Sequence, residues 1–389
     1  MNIISIEYHI ILKILFVNPP NPSLVKRIEH CILHRKRWIF DNTQVLHQIG
    51  KWKRNLAWIK PYYAMKANPS PELIKTIVNS GMQIGLDVAS INEAKTGLKY
   101  VEERDIIYTN PHTIPYDERE YFSLGIQTKV VDSLGELKKI AESNFYNYKP
   151  KILIRLKSNI YSAHCQFDSK FGCSREVAFQ ILEYATRNNI QICGISFHIG
   201  SGGDFDRNLA YKTAFEYARP VLDAIENPIV DVGGGLLYDT DLTAVLGWTK
   251  DLPYQFIAEP GRYFAEPAYH LLVQVIAVTE RGIFIDNGVY HELNVYHRDH
   301  WSFPKLKYLY DNTDQSTKKI DDYRVLDIFG PTCDSYDMIP AVSFPDMRIE
   351  PGDWIFLPNM GAYTSAAAVN FNGISSAFFC EEDTKRFFI

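Results

Sequence analysis

A single lysine ends an apolar, aromatic-rich run in the stretch PYYAMKANPS (61–70). The run has the composition of a buried strand, and lysine is the residue that the core of such a strand tolerates worst. Turn residues follow Lys66 directly, so we expect its amine at the end of the strand. A lysine amine in that position can act as a nucleophile toward a carbonyl group.

Polar residues or glycines lie at or near the carboxyl ends of the other strand-like runs between residues 57 and 265. They are Asp87, Asn110, Asp132, Arg155, His198, the triplet Gly233-Gly234-Gly235, and Glu259 with Arg262. Each has a plain structural explanation by itself, because aspartates cap helices and glycines form tight turns. Those explanations do not account for a lysine and an arginine among the same strand ends, so the set indicates a binding site.

Three glycine-containing segments follow successive strands, namely GSGG (200–203), DVGGG (231–235) and EPGR (259–262). Glycine lets backbone N–H groups approach an anion closely, and the planar guanidinium of Arg262 suits a phosphate. A phosphate site together with a reactive lysine fits a cofactor with a phosphate tail and an aldehyde head. This is pyridoxal 5′-phosphate (PLP), with Glu259 against its pyridine nitrogen and His198 stacked on its ring.

The strand-like runs that position these residues alternate with segments of helical spacing. The runs lie at 57–66, 82–88, 105–110, 128–132, 151–156, 192–199, 228–234 and 254–260. Helical segments between them include 71–81, 133–143 and 175–189. Eight such units in about 210 residues predict a closed parallel (β/α)8 barrel, whose active site lies at the carboxyl ends of its strands. An open doubly wound sheet is the alternative.

The pattern changes after residue 265, where strand-like runs are separated by turns with little helical spacing. The runs are AYHLLVQVIAVTE, GIFIDNGVY, YRVLDIFG, DWIFLPNM and ISSAFFC. They predict a mostly antiparallel β domain, and the strand-like segment 1–45 is expected to join it. The predicted domains are a PLP-binding barrel over 46–264 and a β domain over 1–45 and 265–389.

Composition and charge argue against several classes of function. The 389 residues are 46% hydrophobic and 22% charged, with a net charge of −5, and no basic cluster predicts nucleic-acid binding. The basic run HRKRW (34–38) is expected to be a solvated turn.

The apolar run 9–17 is too short to cross a bilayer and lacks the features of a signal peptide. Six cysteines without a CxxC pair predict a reduced, cytoplasmic protein without a metal site.

Seven motifs resemble, in order, those of the ornithine/diaminopimelate/arginine decarboxylases of the alanine-racemase-like fold. They are YYAMKAN, GLDVAS, FHIGSGG, DVGGG, AEPGRYF, GPTCDSYD and NMGAYT. The ornithine decarboxylase branch is the most similar. The resemblance implies a PLP-binding barrel with a β domain, which works as a head-to-tail homodimer with two shared active sites.

The resemblance also implies a role for individual residues. Lys66 resembles the lysine that bonds the cofactor, Glu259 the partner of the pyridine nitrogen, and His198 the residue stacked on the ring. The remaining polar support and phosphate-binding residues are Asp87, Glu93, Arg155, Ser201, Gly234, Gly235, Gly261, Arg262 and Tyr363.

Further implied residues belong to the predicted β domain. Cys333 and Asp334 resemble a pair that enters the neighbouring subunit's site. There the thiol takes part in protonation of the carbanion, and the aspartate contacts the distal amine of the substrate. Tyr290 and Phe371 resemble wall residues. Asp299, nine residues after Tyr290, matches the amine-binding aspartate of the ornithine branch.

The predicted reaction is PLP-dependent decarboxylation of a basic amino acid. The expected substrate is L-ornithine, which gives putrescine in a step of polyamine biosynthesis. Conversion of L-lysine to cadaverine is expected as a slower reaction. Arginine decarboxylation is the runner-up, because the segment YHELNVYHRDH (290–300) is bulkier than its counterpart in ornithine enzymes and Glu292 could meet a guanidinium. A racemase would need a partner tyrosine where this chain has CDS, and Asp299 and Asp334 argue against diaminopimelate. The alternative from a different class is a catalytically inactive homologue that acts as a regulatory binding protein.

Overall fold

A computed structural model describes residues 12–142, 150–158 and 168–375 of the chain. These residues pack as two compact units, which we call the barrel unit (Asn42–Ala268) and the β unit (12–41 with 269–375). The part of the chain that the structure describes contains no helix long and apolar enough to cross a membrane.

The strands of the described residues are, in chain order, β1 (Lys13–Phe16), β2 (Trp38–Phe40), β3 (Ile59–Ala64), β4 (Gly85–Val88), β5 (Ile106–Tyr108), β6 (Thr128–Val131), β7 (Lys151–Arg155), β8 (Ile192–Ser196), β9 (Ile229–Asp231), β10 (Gln255–Ala258), β11 (Tyr269–Thr279), β12 (Gly282–Ile285), β13 (Tyr308–Asp311), β14 (Ser316–Lys319), β15 (Tyr323–Phe329), β16 (Met338–Pro345) and β17 (Trp354–Leu357). The α-helices are α1 (Pro22–Leu33), α2 (Asn42–Asn55), α3 (Pro71–Val78), α4 (Ile91–Gly97), α5 (Pro115–Ser123), α6 (Leu134–Glu142), α7 (Arg175–Arg187), α8 (Arg207–Leu222), α9 (Leu242–Leu246), α10 (Arg262–Ala265) and α11 (Val295–Arg298).

The barrel unit is a closed ring of eight parallel strands, β3 to β10, in which β10 pairs with β3. Each predicted strand-like run contains one of these strands, so the prediction of a (β/α)8 barrel is confirmed and the open doubly wound alternative is wrong. Side chains from six strands fill the interior, which makes the barrel a packed core. They are Tyr62, Ile107, Val130, Leu153, Cys193 and Ile257.

The helices of the barrel unit follow the amphipathic spacing of the sequence. In α7 the side chain of Ser174 accepts a hydrogen bond from Val177 N, and the helix buries Ala178, Ile181 and Ala185 at intervals of three and four residues. The predicted segments 71–81, 133–143 and 175–189 contain α3, α6 and α7 respectively.

The β unit is a nine-stranded sheet with the order β14-β13-β1-β17-β11-β12-β15-β16, in which β2 also pairs with β11. Its pairs are antiparallel except β1–β17 and β12–β15. The N-terminal strands β1 and β2 pair with strands from the C-terminal part of the chain. The prediction of a mostly antiparallel β domain built from both ends is therefore confirmed.

Part of the expectation for the segment 1–45 is wrong, because Pro22–Leu33 forms the helix α1. The Asn21 side chain accepts a hydrogen bond from Leu24 N at 2.8 Å, and a proline at the first helical position suits that end of a helix. The helix buries Val25, Ile28 and Ile32 on one face.

Three strands of the β unit, β13, β14 and β16, were not among the predicted runs. The sequence of β14 is STKK, which is polar, and β16 contains two prolines. Both strands lie at the edges of the sheet, where polar residues and prolines are tolerated. The predicted run ISSAFFC lies outside the described residues except for its first two positions.

Candidate active site

Lys66 lies just beyond the carboxyl end of β3, in a short 3₁₀ turn formed by Met65–Ala67. Its Nζ is 3.4 Å from Asp87 Oδ2, and the side chain of Lys66 is 43% exposed whereas that of Asp87 is 1% exposed. The other carboxylate oxygen of Asp87 accepts a 2.5 Å hydrogen bond from Thr109 Oγ1. Asp87 is therefore fixed by two neighbouring strands, and it orients an amine that remains accessible.

Glu93 supports the same pair from the first turn of α4. Its Oε2 accepts a hydrogen bond from Ala89 N at 2.7 Å, while Ser90 caps the helix by accepting from Glu93 N. Burial raises the pKa of Glu93, as does the negative charge of Asp87, and Lys66 opposes both effects. The sequence-predicted polar support thus lies within electrostatic range of the lysine.

Glu259 follows β10 and is buried. Burial raises its pKa to about 7, and Asp87 adds to this effect, whereas the positive charges of Lys66 and Arg155 oppose it. The structure therefore brings Lys66, Asp87, Arg155 and Glu259 together at the carboxyl ends of their strands. Arg155 itself packs over the ring of Phe171, with its guanidinium carbon 5.1 Å from the ring centre.

His198 follows β8 and is held by its own loop. Its Nδ1 lies 3.0 Å from the backbone N–H of Gly200 and must accept that hydrogen bond, so a neutral ring carries its proton on Nε2. Burial lowers the pKa of His198 well below its usual value, and the positive charges of Arg155 and Lys66 act in the same direction. A neutral imidazole results, which can pack flat against an aromatic ring.

The glycine loop at 233–235 requires glycine at its centre. A Cβ atom on Gly234 would lie 2.8 Å from His198 Nε2 and 3.0 Å from the carbonyl oxygen of Glu259. Gly233 and Gly235 have φ angles of 67° and 107°, which side chains rarely adopt. The loop therefore has no side chains beside His198 and Glu259, so the phosphate and ring of PLP can approach its backbone closely.

Two residues of α8 fix the glycine loops, and the sequence reasoning missed both. Arg207 donates from Nε to Gly235 O and from Nη2 to Gly203 O, each at 3.1 Å, so it joins the two loops. The hydroxyl of the buried Tyr211 donates to Gly234 O at 2.7 Å. The i, i+4 spacing of this Arg and Tyr, beginning four residues after GSGG ends, was the available signal.

The other expected phosphate-binding residues divide between the two units. Ser201 lies in the first glycine loop and is half-buried. Gly261 precedes α10, whose first residue, Arg262, places Nη1 3.5 Å from the carboxylate of Glu266. Tyr363 belongs to the β unit, is half-buried and has a φ of 60°. The phosphate-binding roles of these residues stay predictions.

A second cluster, which we call the Asp334 cluster, lies in the β unit and contains Tyr290, Cys333, Asp334 and Phe371. The rings of Tyr290 and Phe371 stack with centres 4.3 Å apart, and the Tyr290 hydroxyl donates a short hydrogen bond to Asp334 Oδ2. Cys333 is exposed, and its backbone N–H donates to Asn372 Oδ1 at 2.9 Å. Residues from three separate segments of the chain therefore meet here.

Asp337 fixes the loop that presents this cluster, and the sequence reasoning did not single it out. Its buried carboxylate accepts hydrogen bonds from Val289 N at 2.8 Å and Thr332 N at 3.1 Å. A Cβ atom on Gly288 would lie 2.0 Å from Asp337 Oδ1, and one on Gly330 would lie 2.2 Å from it. The last aspartate of GPTCDSYD thus ties that motif to the segment before Tyr290.

The segment from Tyr290 to Asp299 is helical after its first turn. A 3₁₀ turn at Glu292–Asn294 leads into α11, and Asp299 ends the helix with its N–H donating to Val295 O. Glu292 is fully buried, and its Oε2 accepts a 2.5 Å hydrogen bond from Asn287 Nδ2. The structure thus places Asp299 at the half-buried end of this segment and Glu292 in the interior of the β unit.

Comparisons with known proteins agree with this architecture. A family model described as the pyridoxal binding domain of pyridoxal-dependent decarboxylases matches residues 42–266. An ornithine decarboxylase of Candida albicans is 30% identical, with 90% of this chain and 83% of that protein covered. One from Saccharomyces cerevisiae is 31% identical, with coverage of 86% and 78%.

Solved structures show the same fold. The arginine decarboxylase of Paramecium bursaria Chlorella virus superposes with a TM-score of 0.79 at 27% identity, covering 91% of this chain and 98% of that one. A lysine/ornithine decarboxylase of Vibrio vulnificus gives 0.78 at 26% identity, covering 92% and 98%. Together with the lysine, the glycine loops and the buried glutamate of the barrel, these matches show that the chain belongs to the pyridoxal-dependent decarboxylases and is a carboxy-lyase that uses PLP.

Proposed function

We propose that this enzyme decarboxylates L-ornithine to putrescine, with L-lysine as a slower substrate. The observation that carries the proposal is the half-buried carboxylate of Asp334, which accepts a hydrogen bond from Tyr290. The hydrogen bond from Tyr290 holds the pKa of Asp334 below its usual value, so the group is ionised at neutral pH and suits an ammonium. Relatives named ornithine decarboxylase, 30–31% identical over most of the chain, support this choice.

The barrel residues would bind and orient the cofactor. Bound PLP supplies an electron sink for the electron pair that remains when CO₂ leaves the α-carbon. Lys66 provides the amine that bonds the cofactor, with its position set by Asp87. The bare backbone at 233–235 suits the phosphate, Glu259 would hold the proton of the pyridine nitrogen, and neutral His198 would cover the ring and exclude water.

The Asp334 cluster would complete the reaction. Cys333 would donate a proton to the α-carbon after CO₂ is lost, and Asp334 and Asp299 would bind the distal ammonium of the substrate. We propose that the enzyme is a homodimer in which these residues of one chain act in the barrel of the other. This arrangement follows from the resemblance of GPTCDSYD to the element that crosses between subunits.

Two carboxylates favour a short diamino acid, because each charge-assisted contact with an ammonium contributes about 1.5–3 kcal/mol when it is desolvated. Arginine is the second candidate, since the viral arginine decarboxylase shares the fold with a TM-score of 0.79. The acid expected to meet a guanidinium was Glu292. Its complete burial beside Asn287 argues against that role and therefore favours ornithine.

The test is a comparison of kcat/KM for L-ornithine, L-lysine, L-arginine and meso-diaminopimelate. We expect ornithine to give the highest value. Asp299→Ala should lower kcat/KM for ornithine about ten- to a hundredfold, which corresponds to one charge-assisted contact, and should leave the cofactor absorbance intact. Asp322→Ala, which removes an exposed aspartate of the same unit, serves as the matched control. A wild-type preference for arginine, or unchanged ornithine kinetics in Asp299→Ala, would contradict the proposal.

The role of Lys66 is tested separately. Borohydride reduction of the yellow holoenzyme should fix the cofactor to one tryptic peptide, the one that contains Lys66. Lys66→Ala should yield no labelled peptide and should retain less than about a thousandth of the activity, because the nucleophile is lost. Label on another lysine of the wild-type enzyme would show that the assignment is wrong.

A further inference from the structure

A second buried carboxyl group lies behind Glu259. Asp231 is the last residue of β9, and Glu259 follows the adjacent strand β10, in which Ile257 is the register partner of Asp231. Asp231 is 0% exposed, and its carboxyl group lies within hydrogen-bonding range of that of Glu259. The established chemistry of the site gives Asp231 no role, although it lies next to the residue expected to meet the pyridine nitrogen.

The contacts of Asp231 leave one carboxyl oxygen available for a hydrogen bond with Glu259. Its Oδ1 accepts a 2.9 Å hydrogen bond from Gly233 N, whereas its Oδ2 has no N–H or hydroxyl donor among the described residues. Two ionised carboxylates cannot form a hydrogen bond with each other, because neither has a proton to donate. A hydrogen bond between the two groups therefore requires that one of them is a neutral acid.

We propose that Asp231 is a protonated carboxylic acid whose Oδ2–H donates to Glu259, and that it thereby keeps Glu259 ionised and oriented for the pyridine nitrogen of PLP. Asp231 is a positioning residue in this proposal, since it acts through Glu259 and not on the cofactor. Glu259 N also donates to Gly233 O at 2.8 Å, so the same short segment fixes both carboxyl groups.

The surrounding charges decide which group keeps the proton. Lys66 and Arg155 stabilise the ionised form of Glu259, and the hydrogen bond from Asp231 does the same. The pKa of Asp231 is raised well above its usual value by burial and by the charge of Glu259. With Asp231 neutral, the two cations balance the carboxylates of Asp87 and Glu259.

An asparagine at position 231 would reproduce the protonated acid. Its Oδ1 can accept from Gly233 N, and its Nδ2 can donate to Glu259. Alanine provides neither group, so Glu259 would lose a donor and its pKa would rise further. If Asp231 were instead ionised, asparagine would be as disruptive as alanine.

The experiment compares Asp231→Asn and Asp231→Ala with the wild type by titrating each apoenzyme with PLP and by recording the pH dependence of the cofactor absorbance. We expect Asp231→Asn to bind PLP within about threefold of the wild type and to keep its pH profile. Asp231→Ala should bind about tenfold or more weakly, as the loss of one hydrogen bond to a charged group predicts, with a shifted profile.

An infrared difference spectrum of wild type minus Asp231→Asn, recorded on the apoenzymes above pH 8, reads the protonation state directly. A carboxylic-acid C=O band in this spectrum supports the proposal, and a carboxylate band in its place overturns it. Equal loss of PLP affinity in the two variants, with unchanged circular dichroism, would also overturn it, as would wild-type affinity in both. Should Asp231→Ala fail to fold, the infrared result and the affinity of Asp231→Asn still decide the question.

Discussion

The hydroxyl of Tyr290 donates a hydrogen bond to the carboxylate of Asp334, 44 residues further along the chain. This bond lowers the pKa of Asp334 and raises that of Tyr290 to about 12, because it stabilises the carboxylate and the neutral phenol together. Phe371 stacks on the phenol ring. A half-buried carboxylate is thus held in one orientation, which would not be expected of an aspartate on an unrestrained loop.

Tyr290→Phe should weaken the binding of the diamino acid without altering the cofactor site. The variant keeps the stacking on Phe371 but loses the hydrogen bond to the carboxylate, which is typically worth about 1.5–3 kcal/mol. Substrate binding loses only part of this energy, since the bond acts through the orientation of Asp334. We expect kcat/KM for L-ornithine to fall about three- to tenfold, mainly through KM. Tyr116→Phe, which changes an exposed tyrosine of the barrel unit, is the control. Unchanged kinetics in Tyr290→Phe would mean that this bond does not position Asp334 for the substrate.

Mixing two inactive variants tests the proposed sharing of sites between subunits. A Lys66→Ala chain has a defective barrel and an intact Asp334 cluster, whereas a Cys333→Ala chain has the reverse. A heterodimer would contain one site with both defects and one intact site, so activity should return to about a quarter of the wild-type value when the chains exchange at random. Activity that stays at the level of the two parents, with exchange verified by mass spectrometry, would argue against shared sites.

The positions of the barrel residues could be predicted from the sequence because two simple rules coincide. Parallel strands read as apolar runs, and their carboxyl ends meet at one face of the barrel, so the residues after each run come together whatever the details of packing. Lys66, Asp87 and Glu259 all obey this rule. The pairing of Asp231 with Glu259 does not follow from it, since it depends on the register between β9 and β10.

Other features could not be read from a local pattern. Arg207 bonds Gly235, 28 residues away, and Asp337 bonds Val289, 48 residues away, and no local pattern in the sequence specifies either partner. The helix α1 shows a different limit, because Val25, Ile28 and Ile32 have helical spacing within a segment whose flanking runs are strands. There the helix cap at Asn21 was the deciding signal.

Arg207→Lys should loosen the two glycine loops while keeping the positive charge. Lysine cannot donate to Gly235 O and Gly203 O from a planar fork, so about two hydrogen bonds are weakened, or roughly 1–3 kcal/mol. We expect the dissociation constant of PLP to rise about tenfold with little change in the substrate preference. Arg219→Lys, on the exposed face of the same helix, is the matched control. Equal affinities in the two variants would show that the loops hold their shape without Arg207.

Glu292 provides a prediction about stability that is independent of catalysis. Its carboxyl group is fully buried, and its Oε1 has no hydrogen-bond partner within the described part of the chain. Burial raises its pKa to about 8, with a smaller contribution from the charge of Asp286. Below about pH 4.5 the group is protonated in both the folded and the unfolded chain. As the pH rises from there to 8, the unfolded chain releases this proton and the folded chain keeps it, so the free energy of unfolding falls.

Glu292→Gln should remove this loss, because glutamine does not titrate and can still accept the hydrogen bond from Asn287. Between pH 5 and pH 9 the free energy of unfolding of the wild type should fall by about 3–5 kcal/mol more than that of the variant. The quantity to compare is the slope of the free energy of unfolding against pH. Burying the glutamine NH₂ group lowers that free energy by the same amount at every pH, so it does not change the slope. Glu280→Gln, an exposed carboxylate of the same unit, should keep the wild-type slope when both are measured by urea denaturation. Parallel curves for wild type and Glu292→Gln would show that Glu292 is ionised in the folded enzyme. The helical segment that leads to Asp299 would then begin at a buried carboxylate and not at a neutral acid.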